Sequence, residues 1–272
     1  MITVCALCPH RCSLSPGQVG LCRARRNIGG VVQSINYGKI TSIALDPIEK
    51  KPLNCFYPGS RILSVGSFGC NLRCPFCQNH EISMADELSS STSDYSPEKL
   101  VETASNTRCD GNIGVAFTYN EPLIGYEYVA DTARLARKSG LETVLVTNGY
   151  INEAPLFDLL PSISALNIDL KSFSEVFYKR IGGDLETVKR SIEISSSVSH
   201  VEVTTLIIPG ENDSEEEMRS MSSWLASIDP EIPYHITRFY PRFRMTDRRP
   251  PSEDAIDKLA EIASESLLRV FA

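Results

Sequence analysis

The chain has 272 residues, 42% of them hydrophobic, enough to bury the core of one large domain with a small appendage rather than two equal domains. Its net charge of −7 argues against a dominant nucleic-acid footprint, and no apolar run approaches the roughly 20 residues that cross a bilayer. The opening Met1-Ile2-Thr3-Val4-Cys5 lacks the basic start and apolar stretch of a secretory signal, so a cytoplasmic chain with reduced thiols and no membrane partner is expected.

Seven of the nine cysteines fall into two groups, which in a reducing compartment points to metal rather than disulfides. The first group, Cys5-x2-Cys8-x3-Cys12-x9-Cys22 with His10 inside it, lies in residues 1–60, read as a cysteine-rich metal-binding module and lead-in. Four sulfurs among Pro16, Gly17 and Gly20 supply a tetrahedral set on a segment too short to bury a core of its own. Zinc and an auxiliary iron–sulfur cluster both suit it, against the alternative of unpaired thiols. With four thiolates available, His10 is expected in the loop or behind the ligands.

From Arg61 onward, runs rich in β-branched residues alternate with helical periodicity, the pattern of repeated βα units on a parallel sheet. Strands are expected near 62–66, 113–118, 142–147, 164–169, 200–208 and 233–238. Helices are expected over 96–104, 125–139, 154–160, 185–195, 214–228 and 252–266. Ser96-Pro97-Glu98 places proline at a first helical position, and Ser214 is followed by Glu215, Glu216 and Glu217 at the positive end of a helix dipole. Six units are fewer than the eight of a closed barrel. Residues 61–272 are therefore expected to form an α/β partial, open TIM-type βα barrel with its site at the carboxyl ends of the strands. The serine-rich stretch 87–95 reads as a mobile loop. The arginines Arg238, Arg242, Arg244, Arg248 and Arg249 could bind an anion, but a solvated loop is the plainer reading.

The second cysteine group, Cys70-x3-Cys74-x2-Cys77, directly follows the first of those strands. An iron–sulfur cube held by four thiolates is saturated, whereas one held by three leaves an iron free to take a ligand. Zinc completed by His80 or Cys55, or plain buried thiols, are the rival readings. Polar residues also end successive strands: Thr118-Tyr119-Asn120-Glu121-Pro122, Thr147-Asn148-Gly149-Tyr150, Asp169-Leu170-Lys171 and His235-Ile236-Thr237-Arg238. Each alone is an ordinary turn or ion pair.

Together with the triplet, these runs resemble the radical S-adenosylmethionine family, in its branch like the pyruvate formate-lyase activating enzyme. The resemblance is greatest to the AmmeMemoRadiSam type and covers residues 1 to about 270. It rests also on Cys5-Ala6-Leu7-Cys8-Pro9-His10-Arg11-Cys12, Asp46-Pro47-Ile48-Glu49-Lys50-Lys51-Pro52, Tyr57-Pro58-Gly59-Ser60 and Ile208-Pro209-Gly210-Glu211-Asn212-Asp213. The resemblance implies a 4Fe-4S cluster on Cys70, Cys74 and Cys77 whose open iron takes the methionine end of S-adenosylmethionine. It implies that Asn120 and Glu121 bind the amino group, and that Asp169 and Lys171 hold the ribose or amino end and the carboxylate. Asn148 falls near the ribose, Ile208 against adenine and His235 close to the nucleoside. Members usually carry Tyr-His where this chain has Asn54-Cys55, and many continue into a cysteine-rich tail where this chain stops at Ala272.

The function implied is an oxidoreductase in which the reduced cluster cleaves S-adenosylmethionine to a 5′-deoxyadenosyl radical that abstracts hydrogen from a substrate. An electron donor such as ferredoxin or flavodoxin is implied, with a protein among the candidate substrates. Two alternatives stand beside it: an activating enzyme installing a glycyl radical on a partner protein, and a non-catalytic electron-transfer or metal-carrying adaptor.

Overall fold

The apolar runs read as strands form one sheet in the computed structural model, which describes residues 1–272. Its strands are β1 (Ser42–Pro47), β2 (Arg61–Gly66), β3 (Asn112–Phe117), β4 (Glu142–Thr147), β5 (Ala165–Asp169), β6 (His200–Ile207), β7 (Tyr234–Arg238) and β8 (Val270–Phe271). They lie in the spatial order β8-β7-β6-β5-β4-β3-β2-β1. Every neighbouring pair from β2 to β8 is parallel. Strands of such a sheet are covered on both faces, which is why β4 and β5 are almost wholly buried and read as unbroken apolar runs. The α/β partial barrel expected from the sequence is the fold observed.

The connections are helical: α1 (His80–Ser83), α2 (Pro97–Asn106), α3 (Tyr126–Lys138), α4 (Glu153–Leu159), α5 (Glu175–Ile181), α6 (Leu185–Ser196), α7 (Glu215–Ile228) and α8 (Glu253–Ser264). Their starts are capped, at Ser96 and Ser214 where the sequence suggests a helix start and at Asp184 besides. Ser96 accepts from the Lys99 amide at 3.2 Å, Asp184 from Thr187 at 2.7 Å, and Ser214 from Glu217 at 3.2 Å. On α3, Tyr128, Val129, Thr132, Ala133 and Ala136 make the buried stripe, at the three- and four-residue spacing of one helix face.

Four of these elements were not foreseen, the one-turn α1 among them. β1 pairs antiparallel with β2 over Ser42↔Gly66 to Pro47↔Arg61, so part of the stretch read as lead-in is the edge strand of the sheet. A proline is tolerated there because an edge has no second neighbour to receive its missing N–H. α5 is only seven residues long, too short for a clear period, and ends at Gly182 with φ 81°. β8 is two residues. Within the serine-rich loop, Ser93–Asp94 pairs with Lys39–Ile40, anchoring its far end. Ahead of β1, two small antiparallel pairs, Thr3–Val4 with Ser13–Leu14 and Arg25–Ile28 with Val31–Ser34, frame the first cysteine group. No helix is long and apolar enough to cross a membrane.

Candidate active site

A pocket of about 250 Å³ opens at the carboxyl ends of the strands. Cys70, Cys74 and Cys77 line it, delivered by the loop that leaves β2. Opposite them stand Asn120 and Glu121 beyond β3, Asn148 beyond β4, and Asp169 and Lys171 at the end of β5. Eight of the ten residues singled out for this site thus come together. The pocket wall also holds Thr118, Tyr119, Thr147, Thr204, Leu206 and Thr237, which had not been singled out. Thr118, Tyr119, Thr147 and Thr237 lie within the quoted strand-end runs, so that signal was present. Thr204 and Leu206 sit inside β6, where only the alternation of facing side chains could have marked them.

The rival zinc reading of the triplet needs a fourth protein donor, and neither candidate supplies one. Cys55 sits with its amide 2.8 Å from Glu202 Oε1, at the start of β6 rather than its end. The His80 ring stacks on Phe243 with centroids 4.6 Å apart. Three thiols around a roomy pocket, with no fourth ligand, suit a cube with one open corner. Burial pushes the Cys74 thiol up to about 11, and the Cys70 thiol further, so their thiolates need a cationic partner.

Much of the surrounding polar chemistry positions the cluster loop. Asn120 Oδ1 accepts from the Ser67 amide at 2.9 Å, and its Nδ2 donates to the Gly69 carbonyl at 3.0 Å. Asn148 Nδ2 donates to Asn71 Oδ1 at 2.9 Å and lies 3.7 Å from Cys70 Sγ. Asn71 in turn donates to the Tyr150 carbonyl at 2.7 Å. Glu121, 3% exposed, accepts from Leu123 N at 3.0 Å, Thr147 Oγ1 at 2.7 Å and Asn148 N at 2.8 Å. Burial nevertheless pushes its carboxyl up to about 7, outweighing those three donors. The charged pair facing the pocket is Asp169 and Lys171, Oδ2 to Nζ 2.8 Å. Burial works against the Lys171 charge, but Asp169 beside it more than compensates and its pKa rises.

Tyr119 adopts φ 71°, a conformation costly for a residue with a side chain, and its hydroxyl donates to Asp46 Oδ2 at 2.8 Å. Buried Lys51 meets the same carboxylate oxygen at 2.8 Å. The Asp46-Pro47 and Lys50-Lys51 run is therefore a support for the pocket wall. Ile208 and His235 do not line the pocket. Ile208 is fully buried in the core. His235 pairs with Thr204, which does face the pocket, yet its ring turns away: Nε2 lies 2.6 Å from Glu202 Oε2, and the ring stacks on Phe271 at 5.0 Å. A carboxylate and an aromatic face at the other end of the strand outbid the cavity for that imidazole. Of the arginines, Arg238 pairs with Glu253 and Arg248 with Glu211, while Arg242, Arg244 and Arg249 are exposed.

The four thiols of the first group line a separate small cavity, with His10 beside them. The His10 Nε2 lies 2.7 Å from the Asn71 carbonyl oxygen, tying that segment to the cluster loop.

A family model described as the radical SAM superfamily matches residues 64–221. The chain is 36% identical over 267 residues to an uncharacterized protein of Methanocaldococcus jannaschii, an alignment covering 97% of this chain and 79% of that protein. It is 20% identical to the pyruvate formate-lyase 1-activating enzyme of Escherichia coli, over 76% of this chain and 90% of that enzyme. Among solved structures it is similar in fold to TYW1 with a lysine-pyruvate adduct bound, with a TM-score of 0.57, 19% identity and 83% of each chain covered.

Proposed function

The chain belongs to the radical S-adenosylmethionine superfamily and is an enzyme, and from that premise we propose that Cys70, Cys74 and Cys77 hold a 4Fe-4S cluster whose fourth iron is left for S-adenosylmethionine. The observation that carries the proposal is the convergence of three thiols, with no fourth protein ligand, on a pocket that also receives the Asp169–Lys171 pair. Held there and reduced by one electron from an external donor, the cluster would supply the electron for cleavage of the sulfonium to methionine and a 5′-deoxyadenosyl radical able to take a hydrogen atom from a substrate.

The chain's own residues bind, orient and exclude water. Lys171 supplies an ammonium for the methionine carboxylate, and Asp169 an acceptor for the amino or ribose end. Thr204 and Thr237 present hydroxyls along the same wall, while Leu72, Phe76 and Leu206 give it an apolar lining. Asn120, Asn148 and Glu121 hold the cluster loop against the ends of β3 and β4. A one-electron reductant such as ferredoxin or flavodoxin completes the system.

Anaerobic reconstitution with iron and sulfide, followed by dithionite and S-adenosylmethionine, tests this reading. The expected product is 5′-deoxyadenosine. None above blank from a fully loaded protein would favour an electron-transfer or metal-carrying role instead. A second reading, activation of a glycyl-radical partner, is favoured by the alignment with the Escherichia coli activating enzyme over 76% of this chain. It predicts a persistent organic radical, seen by electron paramagnetic resonance, on a partner protein added to that mixture.

A further inference from the structure

Cys5, Cys8, Cys12 and Cys22 line a small cavity of about 10 Å³. That is close to one water-sized sphere, a space that suits a single ion. Arg25, only 7% exposed, forms part of the same wall beside Cys5. Its Nη1 donates to Glu127 Oε2 at 2.8 Å and to the Ile124 carbonyl at 3.2 Å. Its Nη2 donates to Glu127 Oε1 at 2.7 Å and to the Val32 carbonyl at 3.3 Å. The buried Nε–H has no partner. Leaving such a buried donor unmet is costly, and a metal-bound thiolate beside it is the acceptor it lacks.

We propose that Cys5, Cys8, Cys12 and Cys22 bind one zinc ion as a four-thiolate site, with Arg25 Nε–H donating to a ligand sulfur. Binding exchanges four S–H protons, released to solvent, for one Zn²⁺, and leaves a centre of net charge −2 with no change of oxidation state. The sulfurs do not already stand at single-ion separation. A tetrahedral site with Zn–S near 2.3 Å sets neighbouring sulfurs about 3.8 Å apart, so the ion draws the two cysteine loops inward. His10 stays outside the ligand set, its Nε2 held at 2.7 Å from the Asn71 carbonyl oxygen.

The ion would brace the radical site. The carbonyl of Cys22 accepts from the amide of Cys70 at 3.2 Å. Gly69, at φ +89°, lets the two loops touch, since a Cβ there would lie 2.4 Å from the Cys22 oxygen. A thiolate ligand of the zinc and a thiolate ligand of the cluster are therefore joined through one backbone hydrogen bond.

The test is elemental analysis of the full chain carrying Cys70→Ala, Cys74→Ala and Cys77→Ala. One zinc per chain without iron or acid-labile sulfide is expected. Iron with sulfide in that variant, or neither metal, overturns the proposal. Where the triple variant does not fold, zinc-edge X-ray absorption on the wild-type chain carries the same question. Four sulfur scatterers at about 2.3 Å are expected, and a nitrogen in the shell, or no zinc, overturns it. Arg25→Met should release zinc to EDTA at least tenfold faster than wild type; an unchanged rate overturns the role of Arg25.

Discussion

Asp169 and Lys171 show how two residues on one strand end prepare a zwitterion site before any ligand arrives. Their mutual contact is 2.8 Å within a partly buried wall, and the pair can open to a carboxylate on one side and a cationic donor on the other. Lys171→Ala or Asp169→Ala is expected to weaken S-adenosylmethionine binding by about tenfold to a hundredfold, the equivalent of one charged hydrogen bond of about 1.5–3 kcal/mol, with the cluster still assembled. Calorimetry on the anaerobically loaded variants reads this, and unchanged affinity in both would mean that these residues do not touch the cofactor. The triplet behaves differently. Replacing Cys70, Cys74 or Cys77 by Ala should strip the cluster itself, measured as iron content and visible absorption, because two protein ligands hold a cube poorly. Cysteine spacing was legible in the sequence because three ligands on one loop need no tertiary knowledge. The turn of the His235 ring away from the pocket was not, since it depends on Glu202 and Phe271, which reach it only through the sheet.

The loop from β2 to α1 has little regular structure of its own, so its shape is imposed by side chains from neighbouring strand ends. Asn120 is the strongest of these, bonding the backbone on both sides of Phe68. Asn120→Ala removes those bonds without touching a thiol. The expected result is normal folding with lower cluster occupancy and faster bleaching in air, followed by absorbance. A variant that loads and bleaches like wild type would assign the loop's order to Asn148 and Asn71 instead. The parallel strands were readable as elements because strands covered on both faces need unbroken apolar runs, as in Val144, Leu145 and Val146. β1 was not, because Ser42–Pro47 is half exposed along its length and ends in proline, so nothing in its pattern separates it from a loop until β2 is there to pair with it. The roles of Asn120 and Glu121 were only half legible. The residues are at the pocket, and their bonds run to the chain's own backbone and to the Thr147 hydroxyl, partners that no linear pattern carries.

At the end of the barrel away from the pocket, one carboxylate ties together segments far apart in sequence. Glu202 on β6 is fully buried and accepts from the amides of Asn54 and Cys55 at 3.0 and 2.8 Å, from His200 at 2.9 Å and from His235 at 2.6 Å. The stretch that enters β2 is thereby fastened to β6 and β7, on the far side of the sheet from the cluster loop's own fastenings. Burial alone would raise this carboxyl, but the two imidazoles and two amides hold it down to about 2, against an ordinary 4.5. A carboxyl lowered in the folded state stabilises fully above its unfolded pKa and loses that contribution as pH falls through the folded value. The window is therefore from about 4.5 down to about 2, and the contribution at neutral pH is on the order of 3 kcal/mol. Asp46, which Lys51 and Tyr119 hold at about 2 against its burial, titrates in the same window. Glu202→Gln keeps the shape but not the charge, and points an amide N–H at donors that have no acceptor left. Its melting temperature at pH 7 should drop by several degrees, and its curve of melting temperature against pH should be flatter than wild type below pH 4.5, the remaining slope coming from Asp46. A variant with the wild-type acid slope would show that the buried carboxylate does not fasten the stretch before β2 to β6 and β7 through its charge.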